Sequence, residues 1–438
     1  MIFAKGRHQV AGGFGTYGRV LADPRARRFS FAGFVARMPL SMTGLGIVLL
    51  ISISTGSFGR AGLVAGAATV AGAVTAPWWG RLIDRIGQAK VLVAAALICN
   101  LSLAVLITSV LAGLPLAVTL LAAVGVGLGF SSAGSCVRAR WTHLLSDDPL
   151  LDTAFALEAV VDEVVFIVGP VLVTLLATSF HPALGLTVCI LLGLVGACWL
   201  ALQRNTQPPI SIGGHHRSAG AGLPKTLLVP IVLACASLGA LFGAMEVVVV
   251  AFATKAGVLP FAGLIVMAWA LGSLISGLVT GTVSWRVSAA RRFRVGAVVL
   301  ALSMLPLLVV DSPWLVAALL LISGLAIAPT LIASVAVTQE AVPAARLTEA
   351  LGWTSTGMAG GVAAGAAALG EVVDRWGASA GFLGISLIGG LLIVAALFVR
   401  TPAAARRVAP ADPAAPLSSA APDDPAARAV DRPVGTST

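Results

Sequence analysis

TAFALEAVVDEVVFIVGPVLVTLL, residues Thr153 to Leu176, is long enough to cross a bilayer, yet it carries Glu158, Asp162 and Glu163 ahead of Gly169 and Pro170. A spanning helix needs about 20 mostly apolar residues. An ionised side chain near the bilayer centre costs on the order of 2.5–3.5 kcal/mol on insertion scales. A chain that keeps three acids in one such helix is expected to use them, and the expectation is a membrane protein with a polar interior pathway.

Eleven further apolar runs accompany this one. Spans are read near 29–51, 61–79, 91–111, 116–137, 153–177, 182–201, 226–252, 259–281, 294–310, 313–335, 347–370 and 378–399. The run at 294–310 is the shortest. The expected fold class is therefore all-α integral membrane, with 12 transmembrane helices. Of 438 residues, 58% are hydrophobic and 11% charged, against about 25% charged in soluble domains. That leaves too little polar material to cover a globule in water. Membrane helices tolerate the 49 Gly and 23 Pro, and Gly lets helices approach closely. No run shows the polar–apolar alternation of an outer-membrane barrel.

The formal net charge is +10, but its placement argues against a nucleic-acid partner. Basic residues alternate by side between the spans. One face collects Lys5, Arg7, Arg19, Arg25, Arg27 and Arg28, then Arg81, Arg85 and Lys90, then Arg138 and Arg140, then Arg204, Arg217 and Lys225, then Arg286, Arg291, Arg292 and Arg294. The other keeps Arg60, Lys255 and Arg375. By the positive-inside rule both termini are expected in the cytoplasm, and the expected location is the cell inner (plasma) membrane. The five cysteines show no ligand spacing and are read as small apolar packing residues. No G-x-x-x-x-G-K-[ST] phosphate loop occurs, so neither an ATPase nor a cofactor is expected.

The chain divides into a cytoplasmic segment 1–28, a six-span half 29–202, a linker 203–225, a second half 226–400 and a tail 401–438. The linker holds Pro208, Pro209, His215 and His216, and the adjacent histidines are read as a solvated loop, with no metal expected. The tail lacks the apolar content to fold. The halves look related. Ala61, Gly62 and Leu63 open span 2 as Ala262, Gly263 and Leu264 open span 8, and Gly80 and Gly281 close them at the same offset. Parallel repeats of this kind imply a site between the halves.

After span 2 the chain reads GRLIDRIGQAK, Gly80 to Lys90. Gly80 allows helices to approach, and Gly87 allows a tight turn. Asp84 can cap a neighbouring helix and Arg85 can pair with an acid. In this place the loop resembles the signature between helices 2 and 3 of the major facilitator superfamily. With the twelve spans, the basic central loop and a degenerate second copy at Gly281 to Arg291, the resemblance covers about 29–399. The second copy departs from the pattern, with Trp285 in place of Asp84 and Ser288 in place of Gly87. The resemblance implies two pseudo-symmetric six-helix bundles that rock about a central cavity. It implies a gating loop of Gly80, Asp84, Arg85, Gly87 and Lys90. It also relates Gly169 and Pro170 to the Gly-Pro motif of the family's antiporters, although the glycine pair expected next is replaced by Val171 to Thr174.

Glu158 and Asp162, four apart, share a helix face, and Glu163 lies about 100° further round. By helical rise Glu158 is roughly 9 Å and Asp162 roughly 15 Å beyond Asp152, and Arg37 roughly 13 Å beyond Arg28. Spans 1 and 5 are neighbours in the superfamily fold, so Arg37 is expected to pair with one of these acids, either as a fixed packing pair or within a proton-coupling site. Glu246, roughly 31 Å beyond Lys225, is the other deep acid. It is read as a second protonation site or a contact for a cationic solute. Arg138, Arg140 and Trp353 are possible substrate or anion contacts, with membrane-interface anchoring the alternative. Trp141 fits an interface anchor best.

The function expected is secondary active transport, proton-coupled efflux of small hydrophobic or amphipathic compounds by alternating access. The alternative is proton-coupled uptake of a sugar, nucleoside or organic anion. A membrane enzyme built on Asp147, Asp148 and Asp152 lacks a facing acidic cluster to hold a metal, and a scaffold has no need of three buried acids. The partners expected are membrane lipid, a small-molecule substrate and protons, for a chain that acts as a monomer.

Overall fold

The computed structural model describes residues 13–130, 133–146, 148, 150–209, 225–280, 287–342 and 346–400. The core of the linker, Asp147, Trp285, Arg286 and the tail lie outside the described residues, together with the expectations placed on them. Among the described residues there are α-helices and three short 3-10 turns and no strand. The helices are α1 (Gly13–Val20), α2 (Pro24–Thr55), α3 (Phe58–Ile86), α4 (Gln88–Leu111), α5 (Leu116–Leu128), α6 (Ala133–Leu144), α7 (Leu151–Ser179), α8 (Leu184–Leu202), α9 (Lys225–Lys255), α10 (Ala262–Thr280), α11 (Ala289–Ser303), α12 (Pro313–Gly324), α13 (Ile327–Ala341) and α14 (Leu347–Leu397).

Among the described residues, eleven segments are long and apolar enough to cross a membrane. The last of them, Glu349–Leu397, has 49 residues, which at 1.5 Å each is about 73 Å, more than twice a hydrocarbon core of about 30 Å. It bends at Gly377, whose φ of 81° and ψ of 176° are non-helical. Residues 347–376 and 378–397 are thus two spans joined by a single residue, where the sequence reading left a loop of seven. Two other boundaries move. α6 runs on to Leu144, which places Arg138 and Arg140 inside a membrane helix instead of the loop after it. α11 begins at Ala289, so its basic residues sit in its first turns.

Local chemistry sets the helix ends. Asp23 caps α2 by accepting the Arg25 amide at 2.7 Å, and Gly56 closes that helix at φ 71°. Gly87, at φ 89°, makes the turn from α3 into α4. Spans 4 and 10 are both interrupted: α5 ends at Leu128 before α6, and α12 ends at Gly324 before α13. Interruptions at matching places in two halves point to where a repeat-built transporter binds its solute.

Helices α2–α8 pack as one bundle and α9–α14 as another. Small residues set the spacing. A Cβ on Gly239 or Gly243 of α9 would collide with the Met358 or Val362 carbonyl of α14, and one on Gly361 or Gly365 with the Ala236 or Ala240 carbonyl of α9. This is small-residue packing, which replaces the hydrophobic effect as the source of helix contact in lipid.

The bundles meet at the end away from the basic loops. Gly62 and Gly66 of α3 lie against Ala366 and Ala363 of α14, and Gly263 of α10 lies against the Pro170 carbonyl of α7. Asp374 of α14 accepts from the Phe58 and Gly59 amides at 2.7 and 2.8 Å and from the Ser57 hydroxyl at 2.8 Å. It therefore caps the first turn of α3 from the other bundle. Further along the same stripe of α3 the contact is lost: Val70, Val74 and Trp78 are 41%, 60% and 70% exposed. The bundles part toward the basic side, which the positive-inside rule assigns to the cytoplasm.

Candidate functional site: a charged cleft in the first bundle

Arg37 sits mid-helix in α2 and is almost wholly buried. Its Nε donates to the Gly33 carbonyl one turn back at 3.0 Å. Nη2 donates to Glu158 Oε2 at 2.5 Å and Nη1 to Asp162 Oδ1 at 2.7 Å. One guanidinium thus spans both carboxylates of the α7 face, as its planar fork allows. Gly33 brings α6 close, since a Cβ there would strike Val137.

The two acids differ in what else they hold. Glu158 is fully buried, and its Oε1 accepts from Ser30 Oγ at 3.0 Å and from Trp141 Nε1 at 2.8 Å. Its two oxygens thus take three donors, all of them from within the bundle. Asp162 has a side chain 30% exposed, and its Oδ2 accepts from Arg138 Nη2 at 2.5 Å. Glu158, Arg37, Asp162 and Arg138 form an alternating chain with no net formal charge, closed at the Glu158 end and open at the Arg138 end, whose side chain is 43% exposed.

The open end faces a cleft of about 340 Å3 cut among α2–α8. Arg37, Arg138 and Asp162 line its polar wall with Asn100, and Phe130 and Phe166 supply apolar surface. Phe130 belongs to the break between α5 and α6, one of the two matching interruptions.

The other residues singled out from the sequence lie elsewhere. Arg140 is fully buried and donates to Gln88 Oε1, the Leu200 carbonyl, the Gln203 carbonyl and Thr206 Oγ1, each at 2.9 Å. It ties α6 to the start of α4 and the end of α8, so no donor of it faces the cleft, contrary to its reading as an anion contact. Trp141 is also no interface anchor. It is fully buried, edge-on to Phe29 at 4.7 Å, and committed to Glu158. Trp353 is 54% exposed near the start of α14. Glu163 is half-buried, with no hydrogen bond or ion pair among the described residues. Glu246 of α9 faces α2, where the Cβ position of Gly44 is 3.0 Å from its Oε2. It too has no hydrogen bond or ion pair among the described residues. Gly169 admits Ser41 of α2. Gly80, Asp84, Arg85 and Lys90 are exposed at the parted end, and Gly87 is the buried turn. Asp148 accepts the Leu150 amide at 2.8 Å, which makes it a turn residue. The sequence gives no signal for Ser30, Asn100 and Asp374, and for Trp141 it points to an interface role in place of the bond to Glu158.

The profile that describes the Major Facilitator Superfamily matches residues 29–308 and again 231–433. The chain belongs to that superfamily, a class of multi-pass membrane transporters. Among solved structures it is similar to the nucleoside transporter NupG, with a TM-score of 0.66 and 13% identity over 86% of this chain and 98% of that one. It is similar to the human organic anion transporter MFSD10, with a TM-score of 0.54 and 17% identity over 86% and 100%. It is similar to the POT family transporter PepTSo, with a TM-score of 0.62 and 12% identity over 87% and 96%. At these identities the likeness is one of fold. No curated protein matches the sequence.

Proposed function

We propose that this transporter couples the movement of a small amphipathic solute to protons, with Asp162 as the coupling carboxylate. One observation carries the reading: Asp162 is the carboxylate of the four-charge chain that meets the cleft, shared between a buried arginine and a partly exposed one. Protonating it weakens its hold on Arg138. Rocking of the bundles about the contacts of α3 with α14 and of α7 with α10 would then expose the cleft to either side. Glu246, unpaired where α2 meets α9, is a second carboxylate through which a proton could bias the closing of the bundles.

The Gly169–Pro170 pair is taken up by helix packing against Ser41 and Gly263. It therefore bears on the closure of the outer end more than on export as such. Proton-driven uptake of an organic anion, the second reading, is favoured by the two guanidiniums in the cleft wall.

The test is flux of a panel of drugs and metabolites in reconstituted vesicles, with and without an imposed pH gradient. Loss of gradient-dependent flux in Asp162→Asn and Arg37→Ala supports the proposal, and unchanged gradient-dependent flux in both contradicts it.

A further inference from the structure

We infer that the cleft in the first bundle is a subsite for the anionic end of an amphipathic solute, a carboxylate or phosphate that takes the place of Asp162 on Arg138. The inference rests on the proton-coupling reading of Asp162 and names the solute class for that same site. Arg138 uses only Nη2 on Asp162. Its Nε and Nη1 have no partner among the described residues, and its side chain is 43% exposed in the cleft wall. Arg37 is held in place by Glu158 and Gly33 whatever happens at Asp162. Two guanidiniums therefore stay in the wall when one carboxylate leaves it. Asn100, 6% exposed, adds an amide to the same wall, and its Nδ2 is already given to the Ala96 carbonyl at 2.8 Å. Phe130, Phe166, Leu40 and Pro39 offer the apolar body of the solute a surface.

Charge balance sets how proton and solute interact. With both acids ionised the four groups sum to zero. Adding a proton to Asp162 leaves Arg138, 43% exposed in the cleft wall, without its carboxylate, and an anion entering the cleft can take that place. Proton and anion thus favour each other's binding, and by linkage the effect is reciprocal. The groups around Asp162 allow this. α2 presents Arg37, with Arg25, Arg27 and Arg28 at its basic end. α6 presents Arg138. α7 itself adds Glu158 and Glu163, α1 adds Arg19, and α8 and α10 bring no charged side chain. Two ligands that must bind together cross together, so an inward proton gradient drives the anion inward.

The experiment uses the full chain in phosphatidylcholine nanodiscs and two isosteric probes, 1-naphthoate and neutral 1-naphthamide. The inference expects naphthoate to bind more tightly than naphthamide and to gain affinity as pH falls, with a coupling of ordinary size, about tenfold. Asp162→Asn should bind naphthoate tightly at every pH. Arg138→Gln should weaken naphthoate about tenfold and leave naphthamide unchanged. That unchanged neutral probe also reports that the variant is folded. Equal binding of the two probes overturns the inference, as does naphthoate binding that ignores Arg138 or tightens as pH rises. If naphthoate ignores Arg138 while Asp162→Asn still loses pH-gradient-driven flux of a neutral compound, the subsite falls and the coupling role stands. Adding phosphatidylglycerol to the nanodiscs separates solute from lipid. No change in naphthoate affinity supports a transported solute. Competition by the lipid assigns the arginine to a headgroup and overturns the inference.

Discussion

The carboxylate of Asp374 accepts the amide N–H of Phe58 at 2.7 Å, so the end of one bundle's helix caps the start of the other's. A cap is worth about 0.5–2 kcal/mol, and this one exists only while the outer end is closed. Asp374→Ala is therefore expected to shift the balance toward the outward-open state by roughly 2- to 30-fold. Distances between labels on the outer ends of α3 and α9 check this. An unchanged distance distribution would mean that the glycine contacts alone hold the closure.

Glu158 and Asp162 should differ in what their loss does to the fold. Glu158→Gln leaves Arg37 half-unpaired in a fully buried site, a change of the kind that costs about 3–5 kcal/mol. Asp162 is partly exposed and faces a cleft, so Asp162→Asn should cost under about half as much. Thermal unfolding of the two variants in detergent gives the order, and equal losses would count against the division of labour drawn here.

Arg140→Gln removes a guanidinium that serves four acceptors, three of them buried, and should lower stability by about 3 kcal/mol or more with no selective effect on anion binding. Arg140→Lys should rescue little, because one ammonium cannot reproduce the fork. A variant that unfolds normally yet loses anion affinity would return Arg140 to the solute site.

How far the sequence could carry this reading depends on the range of each interaction. The all-helical membrane class and the shared depth of Arg37, Glu158 and Asp162 follow from apolar length and a 1.5 Å rise, both of which are local quantities. Arg138 and Arg140 were treated alike, though two residues apart means roughly 200° apart on a helix. One faces the cleft and the other faces α4 and α8. Trp141 is three residues past Arg138, which puts it on the same face toward α7. The Asp374 cap joins residues more than 300 positions apart, and no periodicity in either segment reports such a contact. The bend at Gly377 was hidden because one residue with positive φ can replace a whole loop.

Glu246→Gln should stabilise the protein by about 1–2 kcal/mol, because a neutral amide is cheaper than an unpaired carboxylate between α2 and α9. A raised midpoint of thermal unfolding at neutral pH is the expected result. A fall of similar size would show that Glu246 has a favourable partner.

The claim that Asp162 carries the coupling proton is tested most directly by separating exchange from accumulation in reconstituted vesicles. With equal pH on both sides, Asp162→Asn is expected to exchange labelled for unlabelled solute as the unaltered protein does. Under an imposed pH gradient, the unaltered protein should accumulate solute and Asp162→Asn should only equilibrate it. Accumulation by Asp162→Asn at the level of the unaltered protein would contradict the account.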